Sequence, residues 1–352
     1  MKMNITLKTK VYLICPTYSL TGGPECIHQL TDMLKRYGHD ARIVYLPQVP
    51  DPTMREYAAY NIRYTYEIED SPHNLIIAPE TMPNELLKYN NIQKAVWWLS
   101  VDNQFKHGAE KRFDWKRADS ASVFHFAQSY YAMDYLRGQG VENPMLLTDY
   151  LPRRYLKATT TIDKNNQVAY FAKKNKGAIE RFIEASPDIH WVPIENMTTE
   201  KVRQTLAKSK VYIDFGPHPG RDKMPREAAM QNCCIIIGNR GAAANAMDYP
   251  FPDDYKIELD TCAPRQVVQI IRRSIENYSC CTEAFVRYRK WICEQEDELA
   301  KQVVDYFGQR SYRRRNEHCL KSINYYTFYK NKVSKALNYR GHSQIINDVD
   351  CL

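Results

Sequence analysis

The 352 residues predict an α/β fold made of two doubly wound, parallel-sheet halves followed by a helical region. Strand-sized apolar runs alternate with helical periodicity as far as residue 280, and after 281 the strands stop. The alternation pauses once, in a polar stretch at 150–161, and then begins again. A chain of this length is too long for one ordinary core and comfortable for two, so a cleft between two halves is expected.

In the first half, 1–152, a strand at 10–15 runs into Gly22 and Gly23. Ile27, Leu30, Leu34 and Tyr37 then recur at helical spacing until Gly38, and a strand resumes at 41–46, which completes a βαβ unit. Further strands are predicted at 74–78, 94–101 and 122–127, with helices at about 84–89 and 130–138. The second half, 153–280, carries strands at 168–172, 190–194, 211–215, 234–238 and 256–259. Helices are predicted between and after them at about 178–185, 199–209, 225–231 and 264–278. From 281 to 340 the pattern is helical, broken near Gly308, and is expected to brace back toward the first half; 341–352 is a tail.

Composition narrows the class. With 44% hydrophobic and 26% charged residues the chain is a folded protein rather than a disordered one. Its apolar runs fall far short of the roughly 18 residues of a membrane span, and the run at Val11 is too short for a signal sequence. Ten cysteines, scattered and without C-x-x-C spacing, read as reduced thiols, so a cytoplasmic location is expected. The formal charge of +8 favours anionic partners. Between 311 and 340, eight Lys and Arg face the single acid Glu317 and are interleaved with tyrosines. Two readings stay open: peripheral contact with the anionic inner face of a membrane, or a tyrosine face packed on the first half with solvated cations.

The segment 211–238 reads VYIDFGPHPGRDKMPREAAMQNCCIIIG. A strand ends in a loop rich in Gly, Pro and cations, and Pro225 then opens a helix with Glu227 in its first turn. Loops at the C-terminal ends of parallel strands are where such sheets bind ligands. Arg221, Lys223 and Arg226 suit phosphate; the alternative is that they are solvated and Glu227 merely complements the helix dipole. Gly22 and Gly23, after the first strand, permit close approach of a phosphate or simply a turn. Lys173, Lys174 and Lys176 follow a second-half strand, to meet phosphate or water. Trp98 offers a stacking face, and Asp102 and Asn103 offer hydroxyl-binding groups or a general base; equally, the tryptophans are core and Asp102 a helix cap.

Gly220, Pro225, Glu227, Ala228 and Met230 stand in the order of the donor-binding motif of the retaining, nucleotide-sugar-dependent glycosyltransferases, which this segment resembles. The resemblance implies the GT-B fold: two Rossmann-like domains, a central cleft and a C-terminal helical region. It also implies transfer of a sugar from a nucleotide-diphosphate donor to a glycan or lipid-linked acceptor bound on the first-domain side. By resemblance Glu227 holds the ribose hydroxyls, and the Gly22-Gly23 loop faces the donor diphosphate. Lys173 and Lys176, with Arg221, would stabilise the departing diphosphate, and Gly241 would sit near the donor sugar. Pro219 replaces the first acid of the motif, and His218 beside it is the candidate substitute. Asp102 is the candidate base if the reaction inverts. No Asp-x-Asp stands at a strand end, so neither a metal nor a cofactor beyond the nucleotide-sugar is expected. An epimerase or phosphorylase on the same fold is the alternative. A nucleic-acid-binding module using 311–340 would leave the cleft motifs without a purpose, so no nucleic-acid partner is expected.

Overall fold

Valine, isoleucine and aromatic runs become parallel strands covered on both faces, which is why they read as unbroken apolar stretches. The computed structural model describes residues 3–6, 8–106, 113–115, 122–157 and 163–308. The first sheet contains β1 (Lys10–Pro16), β2 (Asp40–Leu46), β3 (Leu75–Pro79), β4 (Gln93–Trp98), β5 (Phe124–Ala127) and β6 (Met145–Leu146) in the order β2-β1-β3-β4-β5-β6. The second contains β7 (Asn165–Phe171), β8 (His190–Ile194), β9 (Ser209–Asp214), β10 (Cys234–Gly238) and β11 (Lys256–Ile257) in the order β11-β10-β9-β7-β8. All of these pairings are parallel. The strand order reverses between β1 and β3 and again between β7 and β9. Each reversal opens a crevice beyond the C-terminal strand ends.

Helix α1 (Gly22–Arg36) buries Ile27, Leu30 and Leu34 against the first sheet, with Glu25 in its first turn and Lys35 and Arg36 in its last. α2 (Tyr130–Gly138) follows β5, while α3 (Thr199–Lys208), α4 (Lys223–Met230) and α5 (Pro264–Glu276) cover the second sheet. Several expected elements are shorter than the sequence suggests. The strand expected at 94–101 stops at Trp98, because the Leu99 N–H bonds the Glu80 carboxylate at 3.0 Å instead of a neighbouring strand, and 3-10 turns take Val101–Lys106. The helix expected at 84–89 is a 3-10 turn, Pro83–Lys88, and the one expected at 178–185 contracts to Glu180–Glu184.

α6 (Val286–Phe307) joins the two cores. Tyr288 and Ile292 pack with the second domain, whereas Leu299, Val303 and Phe307, further along the same helix, pack with the first. A helix of 22 residues is about 33 Å long, enough to reach both. It stops at Gly308, whose φ of 77° lies outside the helical range. Among the described residues no helix is long and apolar enough to cross a membrane, and the cysteines are free thiols. The basic, tyrosine-rich stretch 311–340 and the tail lie outside the described residues.

Buried charge holds the two domains in register. Arg226 on α4 meets Asp149, just after β6, through Nη1···Oδ1 and Nη2···Oδ2 contacts of 3.2 and 2.7 Å, and both residues are 1% exposed. Gln128 donates to Asp149 at 2.6 Å and accepts the Arg221 backbone N–H at 3.0 Å. The Arg221 guanidinium donates to Asp248 at 2.8 Å and to Gln295 at 3.1 Å, and lies over Trp291. Asp248 also accepts the Tyr130 and Tyr131 N–H groups at 2.9 Å, so a second-domain carboxylate caps the first turn of α2. Removing one partner of a buried pair strands the other charge. Asp149→Ala should therefore lose about 3–5 kcal/mol of unfolding free energy in urea titration, and Asp149→Leu combined with Arg226→Met should recover most of it. Equal losses in the single and double variants would remove the pair from this role.

Candidate functional site

The loops that border the two crevices touch at Leu99 and Gly220. Beyond β1 and β3 lies a cavity of about 350 Å³, with Pro16 and Pro79 at the strand ends among its walls. Ser19, Thr21 and Gly23 come from the loop and first turn leading into α1; Glu80, Thr81 and Met82 follow β3; Leu99, Ser100 and Asn103 follow β4. Glu80 is 3% exposed, and the Leu99 N–H fixes its Oε2. The Leu99 carbonyl is also where the second domain touches this wall. A Cβ on Gly220 would fall 2.5 Å from that oxygen and 2.9 Å from Gln128 Oε1, so only glycine lets the loop after β9 approach.

Beyond β7 and β9 stands a compact charge cluster. Lys174, on the single turn Ala172–Asn175, directs its Nζ at Asp214 Oδ2 (2.9 Å), Asp222 Oδ2 (2.8 Å) and His218 Nδ1 (3.1 Å). Burial disfavours the Lys174 ammonium, but Asp222 and Asp214 outweigh it and hold its pKa above the ordinary value. Burial likewise works against ionisation of Asp222. Lys174 and the His218 hydrogen bond prevail and bring that carboxyl down to about 2. The ligand atoms of Asp214, His218 and Asp222 lie within 4.8 Å of one another, a donor set that suits a divalent ion. The Lys174 ammonium stands where those atoms converge.

Several residues are placed differently from the sequence reading. Of the three lysines, Lys174 is the one turned inward; Lys173 and Lys176 are exposed. Arg221 and Arg226, assigned above to phosphate, are committed to Asp248 and Asp149 because desolvated guanidinium groups need carboxylate partners. His218, the candidate substitute for the missing acid, is buried with its Nδ1 2.8 Å from Asp222 Oδ2. Trp98, a candidate stacking face, is core: it is fully buried, stacks on Trp115 and donates to His125 at 3.1 Å. Asp102 is half-buried with Oδ1 accepting the Tyr131 hydroxyl at 3.0 Å, and it does not line the cavity. Gly241, at φ 56°, packs against the His218 carbonyl, and a side chain there would collide with it. Gly22 and Gly23 open α1, and Gly23 lines the cavity.

Glu227 is half-buried on α4, one turn beyond Lys223. Lys223 forms an ion pair with Glu25 of α1, and Glu25 also accepts from Arg154 at 2.9 Å and from the Tyr60 hydroxyl at 3.2 Å. Burial raises the Glu227 carboxyl to about 7, against the pull of Lys223, Arg226 and Arg154. Glu80, Asp214 and Asp222 were not singled out from sequence, and Lys174 was named there only beside the preferred Lys173 and Lys176. Glu80 and Asp214 share one available signal, an acid at the C-terminal end of a parallel strand.

No protein-family model matches the chain, and no curated protein matches it by sequence. Solved structures do match. WaaG, a glycosyltransferase involved in lipopolysaccharide biosynthesis, superposes with a TM-score of 0.52 at 10% identity, over 83% of this chain and 98% of that one. Sucrose-phosphate synthase from Thermosynechococcus elongatus gives 0.51 at 10% identity, over 92% and 100%. TarM gives 0.51 at 14% identity over 69% of this chain, which spans only 56% of TarM. At such identities the likeness is one of fold, and the fold is GT-B: two Rossmann-like domains with a C-terminal helix.

Replacing Lys174 by Met would leave the buried Asp214 and the half-buried Asp222 carboxylates without the cation between them. The expected loss at pH 7 is about 3–5 kcal/mol, a fall in Tm of about 10 °C. Because the folded-state pKa of Asp222 is depressed, its stabilisation is full above 3.8 and disappears as pH falls toward about 2. The deficit of Lys174→Met should therefore narrow on acidification, first as the uncompensated carboxylates of the variant take up protons. Thermal melts across pH check this, and a deficit independent of pH would show that the ammonium is not their counter-charge.

Proposed function

We propose that this chain is a glycosyltransferase that takes a sugar from a nucleoside-diphosphate donor on the second domain and delivers it to a glycan or lipid-linked acceptor held in the first-domain cavity. The observation that carries this reading is the meeting of the two crevices at Leu99 and Gly220. Ligands on the two sheets would face each other there, as transfer between them requires. The GT-B likeness and the Gly220…Pro225-Arg226-Glu227 motif support the same reading.

In this reaction an acceptor O–H attacks the donor anomeric carbon. A new C–O bond forms as the bond from that carbon to the diphosphate oxygen breaks, and the electron pair leaves with the nucleoside diphosphate. Charge grows on that leaving group, so fixed positive groups lower the barrier. Lys173 and Lys176 are exposed cations after β7 and are the residues this reading assigns to that role. Lys174 already fills the carboxylate and imidazole cage with a cation, which favours a metal-independent reaction. The resemblance of the 211–238 segment to the retaining glycosyltransferases supports the retaining course, in which the departing phosphate takes the acceptor proton. Glu227 would accept the ribose hydroxyls as a carboxylate.

Two measurements test this proposal. A panel of nucleoside diphosphates should contain one that raises Tm, equivalent to about 2.7 kcal/mol at a concentration of 100 Kd, and the matching nucleotide-sugar should release its diphosphate only when an acceptor is present. Turnover of the donor without an acceptor would point to an epimerase instead.

Glu227→Gln separates fold from function. The raised carboxyl means that the native state holds this proton more tightly than the unfolded chain does, so stability is lost as pH climbs from 4.5 toward about 7. The neutral amide removes that loss. At pH 8 the variant should melt a few degrees higher than wild type while binding the diphosphate about tenfold more weakly, because a charged hydrogen bond contributes about 1.5–3 kcal/mol. Unchanged affinity by calorimetry would take the ribose role from Glu227.

A further inference from the structure

The inward cations of the second domain differ in how firmly they are held. Arg226 meets Asp149, Arg221 meets Asp248 and Lys174 meets Asp214. Each of those carboxylates is anchored by a further group: Gln128 on Asp149 at 2.6 Å, the Tyr130 and Tyr131 N–H groups on Asp248 at 2.9 Å, and the Gly216 N–H on Asp214 at 3.1 Å. Lys223 is held otherwise. Its partner Glu25 lies across the domain boundary, in the first turn of α1, and also accepts from Arg154 at 2.9 Å and from the Tyr60 hydroxyl at 3.2 Å. Among the described residues Glu25 is held by these three side chains and by no backbone N–H.

The group stands at the seam between the crevices. Gly23 and Pro24, just before Glu25, line the first-domain cavity, and Lys223 opens α4, which carries Glu227 one turn on. Lys223 takes Oε2 of Glu25 and Arg154 takes Oε1, so the two cations stand a carboxylate's width apart, a spacing that two oxygens of one phosphate group also match. The link can be exchanged from both sides. Arg154, in the turn Arg153–Tyr155 between the two sheets, has a side chain 48% exposed, so an incoming anion reaches it directly. Glu25, once displaced, keeps the favourable field of the α1 N-terminus and the Tyr60 hydroxyl, so its charge is not stranded.

We propose that Glu25 is a tethered stand-in for the donor's diphosphate: it occupies Lys223 and Arg154 while the site is empty, yields them when a diphosphate enters, and takes them back as the diphosphate leaves. The proposal rests on the transferase reading for the identity of the diphosphate and on the ion pairs alone for the competition. Glu25 and the ligand exclude each other from the same two cations, so the affinity for the ligand is reduced by the fraction of the protein that holds the internal pair. The same competition favours release of the nucleoside diphosphate after transfer and limits inhibition by that product.

The probe is inorganic pyrophosphate, titrated by calorimetry into the full chain at low salt. Glu25→Gln keeps an acceptor for Tyr60 and removes the competing charge, and it should bind pyrophosphate about tenfold more tightly than wild type. Removal of a negative charge favours any anion, so the same change is also made in a background carrying Lys223→Met and Arg154→Met. With the contested cations gone, the gain should fall to about twofold or less. Glu25→Asp, one methylene shorter, should gain about threefold, and it carries the comparison if the amide destabilises the junction. With the nucleotide-sugar that is turned over, the nucleoside diphosphate should inhibit Glu25→Gln at about one tenth of the concentration that inhibits wild type. Equal or weaker pyrophosphate affinity in the Glu25 variants, no binding at tens of millimolar, or a gain that persists in full without the two cations would overturn the proposal. A cation-dependent gain with no diphosphate release from any nucleotide-sugar would instead keep Glu25 in this role and sink the transferase reading.

Discussion

A guanidinium withdrawn from water at a domain boundary tolerates few arrangements, because a carboxylate from the opposite side must meet it in good geometry. Arg226 and Asp149 satisfy that demand with two parallel contacts, and the rest of the junction is arranged around them. Gln128 reads both sides at once, bonding Asp149 through its amide nitrogen and the Arg221 N–H through its oxygen. Gly220 is thereby pressed against Leu99, and Leu99 is a wall of the cavity. The position of one crevice relative to the other thus depends on a pair that lies outside the first-domain cavity and reaches the second crevice through the Arg226 bond to the Asp222 carbonyl, at 3.1 Å.

Cations in the second domain divide into two populations by direction. Lys174, Arg221 and Arg226 point inward, each against a carboxylate, and give the loop after β9 its shape. Lys173 and Lys176 point outward. Neighbours in sequence therefore have opposite jobs. The single turn at Ala172–Asn175 decides which, since successive residues of a turn point about 100° apart.

This division explains what could be read from the chain and what could not. The alternation of strands and helices was legible, because a parallel sheet buried on both faces leaves continuous runs such as Cys-Ile-Ile-Ile-Gly at β10. The same rule hides Trp98: on a strand covered from both sides, neither tryptophan of the pair reaches a cleft. That the 211–238 segment carries a ligand loop was legible from its glycines and prolines, but the destination of its arginines was not. Asp248 is 27 residues and Asp149 77 residues from the arginine each one meets, and no local pattern announces such a partner. Glu80 was missed for a related reason. Its importance comes from the early end of β4 at Trp98, a backbone event that an apolar run continuing to Val101 conceals.

The capping of α2 by Asp248 limits how the halves can be exchanged between proteins. A helix whose opening amides are satisfied from the other domain, and a terminal helix whose two ends lie in different cores, make the boundary between the sheets a poor place to cut. A chimera that grafts a foreign second domain after residue 152 would leave Tyr130 and Tyr131 without their acceptor, Asp149 without its arginine and the first core without Leu299, Val303 and Phe307. To be viable, such a graft would have to take residues 128–131, Asp149 and the first-domain face of α1 from the same parent as the helix that closes over them.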